Sequence, residues 1–459
     1  MPNRPAAPRR VALLDPVGDA GIGGYTHELA QALAGAGVDA CVYSTPAAFA
    51  RALPRAYPLV PAFGERPLDA PALARARAVT LGSAPAPPAP AGPPAPGSLD
   101  AYCAALRARG WGGPRRRAAG APRPAARHAT GPARLRAADA PAASPHATAL
   151  VDHLCDAGFD AVWTQWPVLD PYPGDTRRAC ARRGVRVVHT VHNVLPHERA
   201  PDDADHHARA YADADVLVVH SRQAAAALEA AFPTARGRTV VARHGTYSIY
   251  PRVPGARAHL RAHLDLPPDA TIVLFFGGVR PYKNLDAVTE ALAAPGCDDL
   301  VLVVAGWEWG GDGGSPDDRL ARTRRRVAAA GLDPRVRLLP GPFGVQQTAE
   351  LFEAADIVAL PYLESSGSGV LCLAMTFGRH VLCTATGGMA EYVADYPRAT
   401  LLERGTPAAV GAGLRAAAVA VGADRGDGAA CPTPHLAWPH IVRGLLPALA
   451  TPAVRHLGD

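Results

Sequence analysis

Short apolar runs recur along the chain, each followed by a glycine-rich or polar turn and then by a stretch with apolar positions three and four apart. The first is "VALLDPVGDAGIGGYTHELAQALAGAGVDACVYST". Residues 11–14 read as a buried strand and 18–24 as a tight loop. Tyr25, Leu29, Ala32 and Leu33 then recur at helical spacing until Gly35 and Gly37 stop the helix, and 40–43 form a second strand. The strand–helix–strand order predicts a Rossmann-like sheet. Further strand-like runs follow in "DAVWTQW" (160–166), "GVRVVHTVHN" (184–193) and "ADVLVVHS" (214–221). After "TVVARHGTYSIYP" and a proline-rich crossing near 251–268, a second alternation begins with "TIVLFFGG", "LVLVVAG", "RVRLL", "DIVALPY" and "HVLCT", ending at 400–402. Helical stretches such as "NLDAVTEALAA" and "TAELFEAA" lie between these strands. The pattern predicts an α/β protein of two Rossmann-like halves, with a ligand outside the carboxyl ends of the strands.

The predicted N-terminal domain covers 1–250 and the second 251–435, while 436–459 is expected to be a C-terminal helix packing back toward the first domain. Between about 64 and 146 the periodicity fades into proline, alanine, glycine and arginine, the composition of a flexible insertion. Residues 101–138 carry nine arginines and no acidic residue. A solvated linker accounts for this, and a peripheral hold on anionic lipid at the inner membrane face is the functional reading.

Composition alters this picture little. The chain has 459 residues and a net charge of +6, which suits an anionic ligand and does not by itself indicate nucleic acid. Eight widely spaced cysteines without a C-x-x-C pair suggest buried thiols in a reduced cytosol rather than disulfides or a structural metal. The N-terminus lacks the apolar core of a signal peptide, and no apolar run is long enough for a membrane span, so a cytoplasmic protein is expected.

The candidate chemistry concerns phosphate. The loop "GDAGIGGYTH" places Thr26 where a dinucleotide fingerprint wants its last glycine, and the second strand ends in Ser44 and Thr45 instead of a ribose-binding carboxylate. Dinucleotide binding is therefore disfavoured, although Gly23 and Gly24 still let backbone N–H groups approach phosphate oxygens. In "FFGGVRPYKN", Gly278, Arg280 and Lys283 stand between a strand and a helix. Lys283 is the only lysine among 46 arginines. A compact ammonium can enter a crowded phosphate pocket that a planar guanidinium cannot, while Arg280 supplies a bidentate fork beside it. Ser366, Ser368 and Gly369 precede a helix at 370–377, where hydroxyls and free N–H groups could meet the same anion or simply cap the helix. "TATGGMAE" repeats the theme with Gly387, Gly388 and Glu391.

In this order "GIGGYTHELAQAL", "VHNVLPHE", "HGTYSIYP", "GGVRPYKNL", "LVVAG", "AADIVALPY", "SGSGVLCLAMTFGRHVLCTATGG" and Glu391 resemble the retaining glycosyltransferases of family 4. The resemblance covers most of the chain apart from 64–146. It implies the GT-B fold, in which two Rossmann-like domains face each other across a cleft, and transfer of a sugar from a nucleoside-diphosphate-sugar donor to a sugar, lipid-linked or small-molecule acceptor. It further implies that Arg280 and Lys283 contact the donor diphosphate, that His192 lies beside the donor sugar, and that Gly23 and Gly24 face the phosphates. His197 and Glu198 are candidates for orienting the acceptor.

One departure from the family is visible. Its two glutamates, with seven residues between them, align with Ser365 and Leu373, and Glu364 is one residue out of register. This motivates the alternative of a catalytically silent GT-B protein that binds a nucleotide sugar or activates a partner; a nucleotide-sugar epimerase on the same fold is a third reading, for which the sequence shows no second catalytic carboxylate pair. No cofactor or metal is expected, since pre-positioned cations and N–H dipoles can stabilise the departing diphosphate. Asp213-Ala214-Asp215 reads as a turn, and strand alternation sends His189 and His192 to opposite faces.

Overall fold

The computed structural model describes residues 8–15, 18, 21–44, 53–61, 145–165, 173–197, 203–267, 269–306, 318–423 and 433–450. Glu198 and, up to residue 144, the arginine-rich insertion lie outside them, as do Cys103 and Cys431. The chain forms two compact units. One contains the described residues up to Gly245 together with those from Pro434 onward, and the other those from Thr246 to Thr433.

The first unit is built on a seven-stranded, all-parallel sheet of β1 (Arg10–Asp15), β2 (Asp39–Ser44), β3 (Leu59–Pro61), β4 (Ala161–Thr164), β5 (Arg186–Thr190), β6 (Val216–Val219) and β7 (Thr239–Val241). Its spatial order is β3-β2-β1-β4-β5-β6-β7. Helices α1 (Ile22–Gly35), α2 (Pro145–Asp156), α3 (Pro173–Arg182), α4 (Asp203–Ala212) and α5 (Arg222–Ala231) connect the strands. Both faces of the sheet are covered, which is why its strands read as continuous apolar runs. Along β1, Val11 and Leu13 enter one core cluster while Ala12 and Leu14 enter the other.

The second unit has a six-stranded parallel sheet of β8 (Thr271–Phe276), β9 (Leu300–Gly306), β10 (Val336–Pro340), β11 (Ile357–Leu360), β12 (His380–Thr384) and β13 (Ala399–Leu402), in the order β10-β9-β8-β11-β12-β13. Its helices are α6 (Ala256–Leu264), α7 (Leu285–Ala291), α8 (Asp318–Ala329), α9 (Val345–Ala354), α10 (Gly369–Thr376), α11 (Met389–Val393) and α12 (Pro407–Ala423). Both sheets have the doubly wound order, in which the chain first winds to one side of the opening strand and then returns to the other.

The last helix, α13 (Trp438–Ala450), belongs to the first unit. Trp438, Ile441, Val442, Leu445 and Leu449 recur along one face and join the core cluster that holds Tyr25, Leu29 and Leu33 of α1. Gly245 makes room for this: a Cβ there would lie 2.6 Å from the Trp438 indole nitrogen. The six described cysteines are free thiols, and burial pushes Cys41, Cys180 and Cys383 up to about 12. Among the described residues no helix is long and apolar enough to cross a membrane.

Candidate functional site

In the second unit, β8, β11 and β12 are neighbours and run parallel, so the loops leaving their carboxyl ends share one edge of the sheet. The winding direction reverses between β8 and β11, and loops diverge there to leave a crevice. Gly277, Gly278, Arg280 and Lys283 follow β8, residues 361–368 follow β11, and 385–388 follow β12.

Lys283 ends a single 3₁₀ turn, Pro281–Lys283, and its side chain folds back over the end of its own strand. Nζ donates to the Phe276 carbonyl oxygen at 3.4 Å and stands 5.8 Å from the centre of the Tyr362 ring. Gly277 allows this, because its φ of +93° and missing Cβ leave room for the amine. Gly277 is itself tight against the next strand, since a Cβ at Gly306 would lie 2.0 Å from its carbonyl oxygen. The turn is fixed from the other side by Asn284, left-handed at φ 61°, whose Nδ2 donates to the carbonyl oxygens of Pro361 (3.1 Å) and Gly405 (2.7 Å). Lys283 is only 8% exposed, and no described carboxylate pairs with it. Burial, and secondarily the charge of Arg280, pull its pKa down to about 7. A buried ammonium beside a guanidinium is stabilised by an anion and destabilised without one.

The other two loops meet this turn. The Leu363 N–H donates to the Tyr282 carbonyl oxygen at 2.7 Å. Gly387 takes φ +55°, and a Cβ there would lie 1.5 Å from the Ser365 carbonyl oxygen, so the loops after β11 and β12 are in direct backbone contact. Ser368 caps α10, its hydroxyl oxygen accepting the Leu371 N–H at 3.2 Å. Capping is therefore one occupation of Ser368. Ser366 is half-buried, Gly369 opens α10, Gly388 caps α11, and Glu391 sits half-buried in the first turn of α11. Leu373 is buried in the core and Glu364 is exposed.

The first unit gathers a different group. β5, β6 and β7 are parallel neighbours, and His192, His220 and His244 each follow the end of one of them. The ladder continues past the strands through Val191 N–H to Val218 O and Ala242 N–H to Val219 O, both 2.8 Å, which brings the histidines side by side. Tyr25, in the first turn of α1 directly after the buried Gly23 and Gly24, meets all three rings at centroid distances of 4.8, 5.2 and 5.1 Å, and the Trp438 ring at 4.9 Å. Burial holds His192 well below the usual histidine range, His220 at about 4 and His244 at about 3. All three rings are therefore neutral near pH 7.

His197 is half-buried downstream, and Glu198 lies outside the described residues. His189 is turned away from His192 and bonds the Thr164 hydroxyl at 2.7 Å. Asp215 accepts the Val187 N–H at 2.8 Å and Asp213 approaches Arg178 at 3.8 Å. No cluster of three or more His, Cys, Asp or Glu fit to hold a metal occurs among the described residues.

Sequence reasoning missed Tyr25, Gln165, His220, His244, Asn284 and Trp438. For the histidines a signal was present: "VVHTVHN", "VVHS" and "VVARHG" each close a strand-like run on a histidine.

Residues 256–418 match the family model described as glycosyl transferases group 1. The second unit resembles that family. A D-inositol 3-phosphate glycosyltransferase of Streptomyces avermitilis is 30% identical over 253 residues, 52% of this chain and 53% of that protein. The protein of the same name from Mycolicibacterium gilvum is 28% identical over 291 residues, 61% of this chain and 64% of its own. The chain thus spans between half and two thirds of these relatives. Among solved structures, the catalytic domain of Arabidopsis thaliana starch synthase IV bound to ADP and acarbose aligns at TM-score 0.59 and 12% identity over 98% of this chain and 96% of that one. Anabaena HepE in complex with UDP and glucose aligns at TM-score 0.57 and 14% identity over 96% of each. Those likenesses show the fold, two Rossmann-like domains of the GT-B class.

Proposed function

We propose that this protein is a glycosyltransferase that moves a sugar from a nucleoside-diphosphate-sugar donor to an acceptor with retention of anomeric configuration. One observation carries the reading: the buried Lys283 amine stands beside Arg280 at the switch point of the second sheet, with no described carboxylate to neutralise it. A diphosphate matches that charge. The UDP bound to HepE and the ADP bound to starch synthase IV support a nucleoside diphosphate as the anion.

The reaction releases a diphosphate whose negative charge grows as the bond to the anomeric carbon breaks. Arg280 and Lys283 stabilise that charge more in the transition state than in the ground state, which accelerates departure without a metal. The N–H groups at the start of α10 add their dipoles to the same anion. His192 is assigned to the donor sugar and Gly23 and Gly24 to its phosphates, as the family resemblance implies. The relatives' name makes a phosphorylated cyclitol the first acceptor to try.

The test is to incubate the pure protein with UDP-, ADP- and GDP-sugars and follow diphosphate release with and without inositol 3-phosphate and other acceptors. Acceptor-dependent release, with product and donor of like anomeric configuration by NMR, is expected. Binding without release would point to a silent nucleotide-sugar-binding protein, and donor isomerisation to an epimerase.

A further inference from the structure

The histidine group in the first unit has a hydrogen-bond direction. His220 Nδ1 lies 3.0 Å from the Ala242 carbonyl oxygen, which can only accept, so this nitrogen carries a hydrogen. His220 is buried and uncharged in the physiological range, so its Nε2 is a bare lone pair. That lone pair lies 3.4 Å from His192 Nδ1, which must therefore be the donor. His192 is neutral too, since burial and then the neighbouring His220, His244 and His189 disfavour its cation, and its one hydrogen is already used. Its Nε2 is left as an acceptor. Tyr25 meets it edge-on and is uncharged too, since burial raises its phenol well above its ordinary range.

Gln165 closes the argument. Its Oε1 lies 3.2 Å from His192 Nε2, while its Nε2 is buried without a partner among the described residues. In that sense two lone pairs face each other and a buried donor is wasted, each a costly arrangement. Turning the amide by 180° exchanges two nearly indistinguishable atoms and creates an N–H···N bond. A protonated His192 would instead require the opposite amide sense.

We infer that Gln165, His192, His220 and the Ala242 carbonyl form one directional hydrogen-bond chain that holds His192 as the neutral Nδ1–H tautomer, the Gln165 amide donating to its Nε2. His220 is then a positioning residue that acts through His192. The chain's use in catalysis rests on the proposed transferase function: a neutral ring does not repel an oxocarbenium-like sugar, and its Nε2 lone pair can exchange the amide for a sugar hydroxyl. The chain itself stands apart from that function.

The experiment is two-bond ¹H–¹⁵N correlation on protein with ¹⁵N-labelled histidine, without ligand, from pH 5.5 to 8. His192 is assigned by the peaks lost in His192→Gln. A protonated Nδ1 and bare Nε2 at His192 across the range are expected. In His220→Ala, His192 should shift toward the Nε2–H form, whereas His220→Gln, which keeps an acceptor near the lost Nε2, should preserve the wild-type pattern. Gln165→Glu places a carboxylate at Nε2 and should convert His192 to the doubly protonated ring at neutral pH. An Nε2–H or doubly protonated His192 in the wild type at neutral pH, or an unaltered pattern in both His220→Ala and Gln165→Glu, overturns the inference. Once His192 is assigned, the wild-type spectrum decides it even if His220→Ala or Gln165→Glu fails to fold. Because no substrate is present, a negative result here leaves the transferase assay intact, and the converse also holds.

Discussion

A Cβ on Gly277 would lie 2.9 Å from the Nζ of Lys283, so the one lysine side chain of this protein rests in the space where another side chain is missing. Gly277→Ala therefore meets two obstacles, a φ of +93° that L-residues avoid and the ammonium itself. A stability loss of about 1–2 kcal/mol is expected from the backbone alone. UDP titration should show weakened binding beyond what that instability explains.

Lys283→Ala is expected to slow sugar transfer by about 10²–10³, the usual loss for one contact to a developing anion. Lys283→Arg should not restore it, because the broader guanidinium does not fit the pocket formed by Phe276, Gly277 and Tyr362. Full activity of both variants would make the lysine incidental. Steady-state rates with the active donor measure this.

The lysine also makes a pH prediction. Burial lowers its pKa from 10.5 to about 7 in the folded protein. Below pH 7 the amine is charged in both folded and unfolded chains, and the folded state bears the full penalty of burying it. Above 10.5 it is neutral in both and the penalty is gone. The ligand-free protein should thus gain stability from this group as pH rises between those limits, a slope that Lys283→Met removes in denaturant melts. A bound diphosphate raises the same pKa, so UDP binding at pH 8 should take up a proton, visible by calorimetry in buffers of different ionisation enthalpy.

Ser368→Ala removes the cap of α10 and should cost about 1 kcal/mol. Gly387→Ala should cost more, because the Ser365 carbonyl oxygen would lie 1.5 Å from the new carbon and the two loops must part. Thermal unfolding of the pair ranks them, and equal effects would contradict the contact.

Gly245→Ala forces its new carbon against the Trp438 indole. Release of α13 from α1 is the expected outcome, read as earlier proteolytic cleavage between α12 and α13 and as increased solvent exposure of the Trp438 fluorescence.

Much of the architecture was legible because strands buried on both faces are written as apolar runs, and the helices between them as a three-four spacing. Strand β3, only three residues long, left no such signature. The lysine turn was readable because Gly, Pro, Lys and Asn are punctuating or charged residues whose chemistry is local. Asn284 passed unnoticed, since its two acceptors, Pro361 and Gly405, are far away in sequence.

The sequence by itself determined the β/α alternation in both halves, the doubtful fit to a dinucleotide and the singular lysine after β8, all carried by neighbouring residues. Only the tertiary structure decided that three strand-ending histidines converge on Tyr25, that Leu373 faces the core, and that the loops after β11 and β12 touch through Gly387. The physical reason is that strand order and loop contact join residues tens to hundreds of positions apart. Periodicity reports which face of an element is buried, and it is silent about which neighbour does the burying.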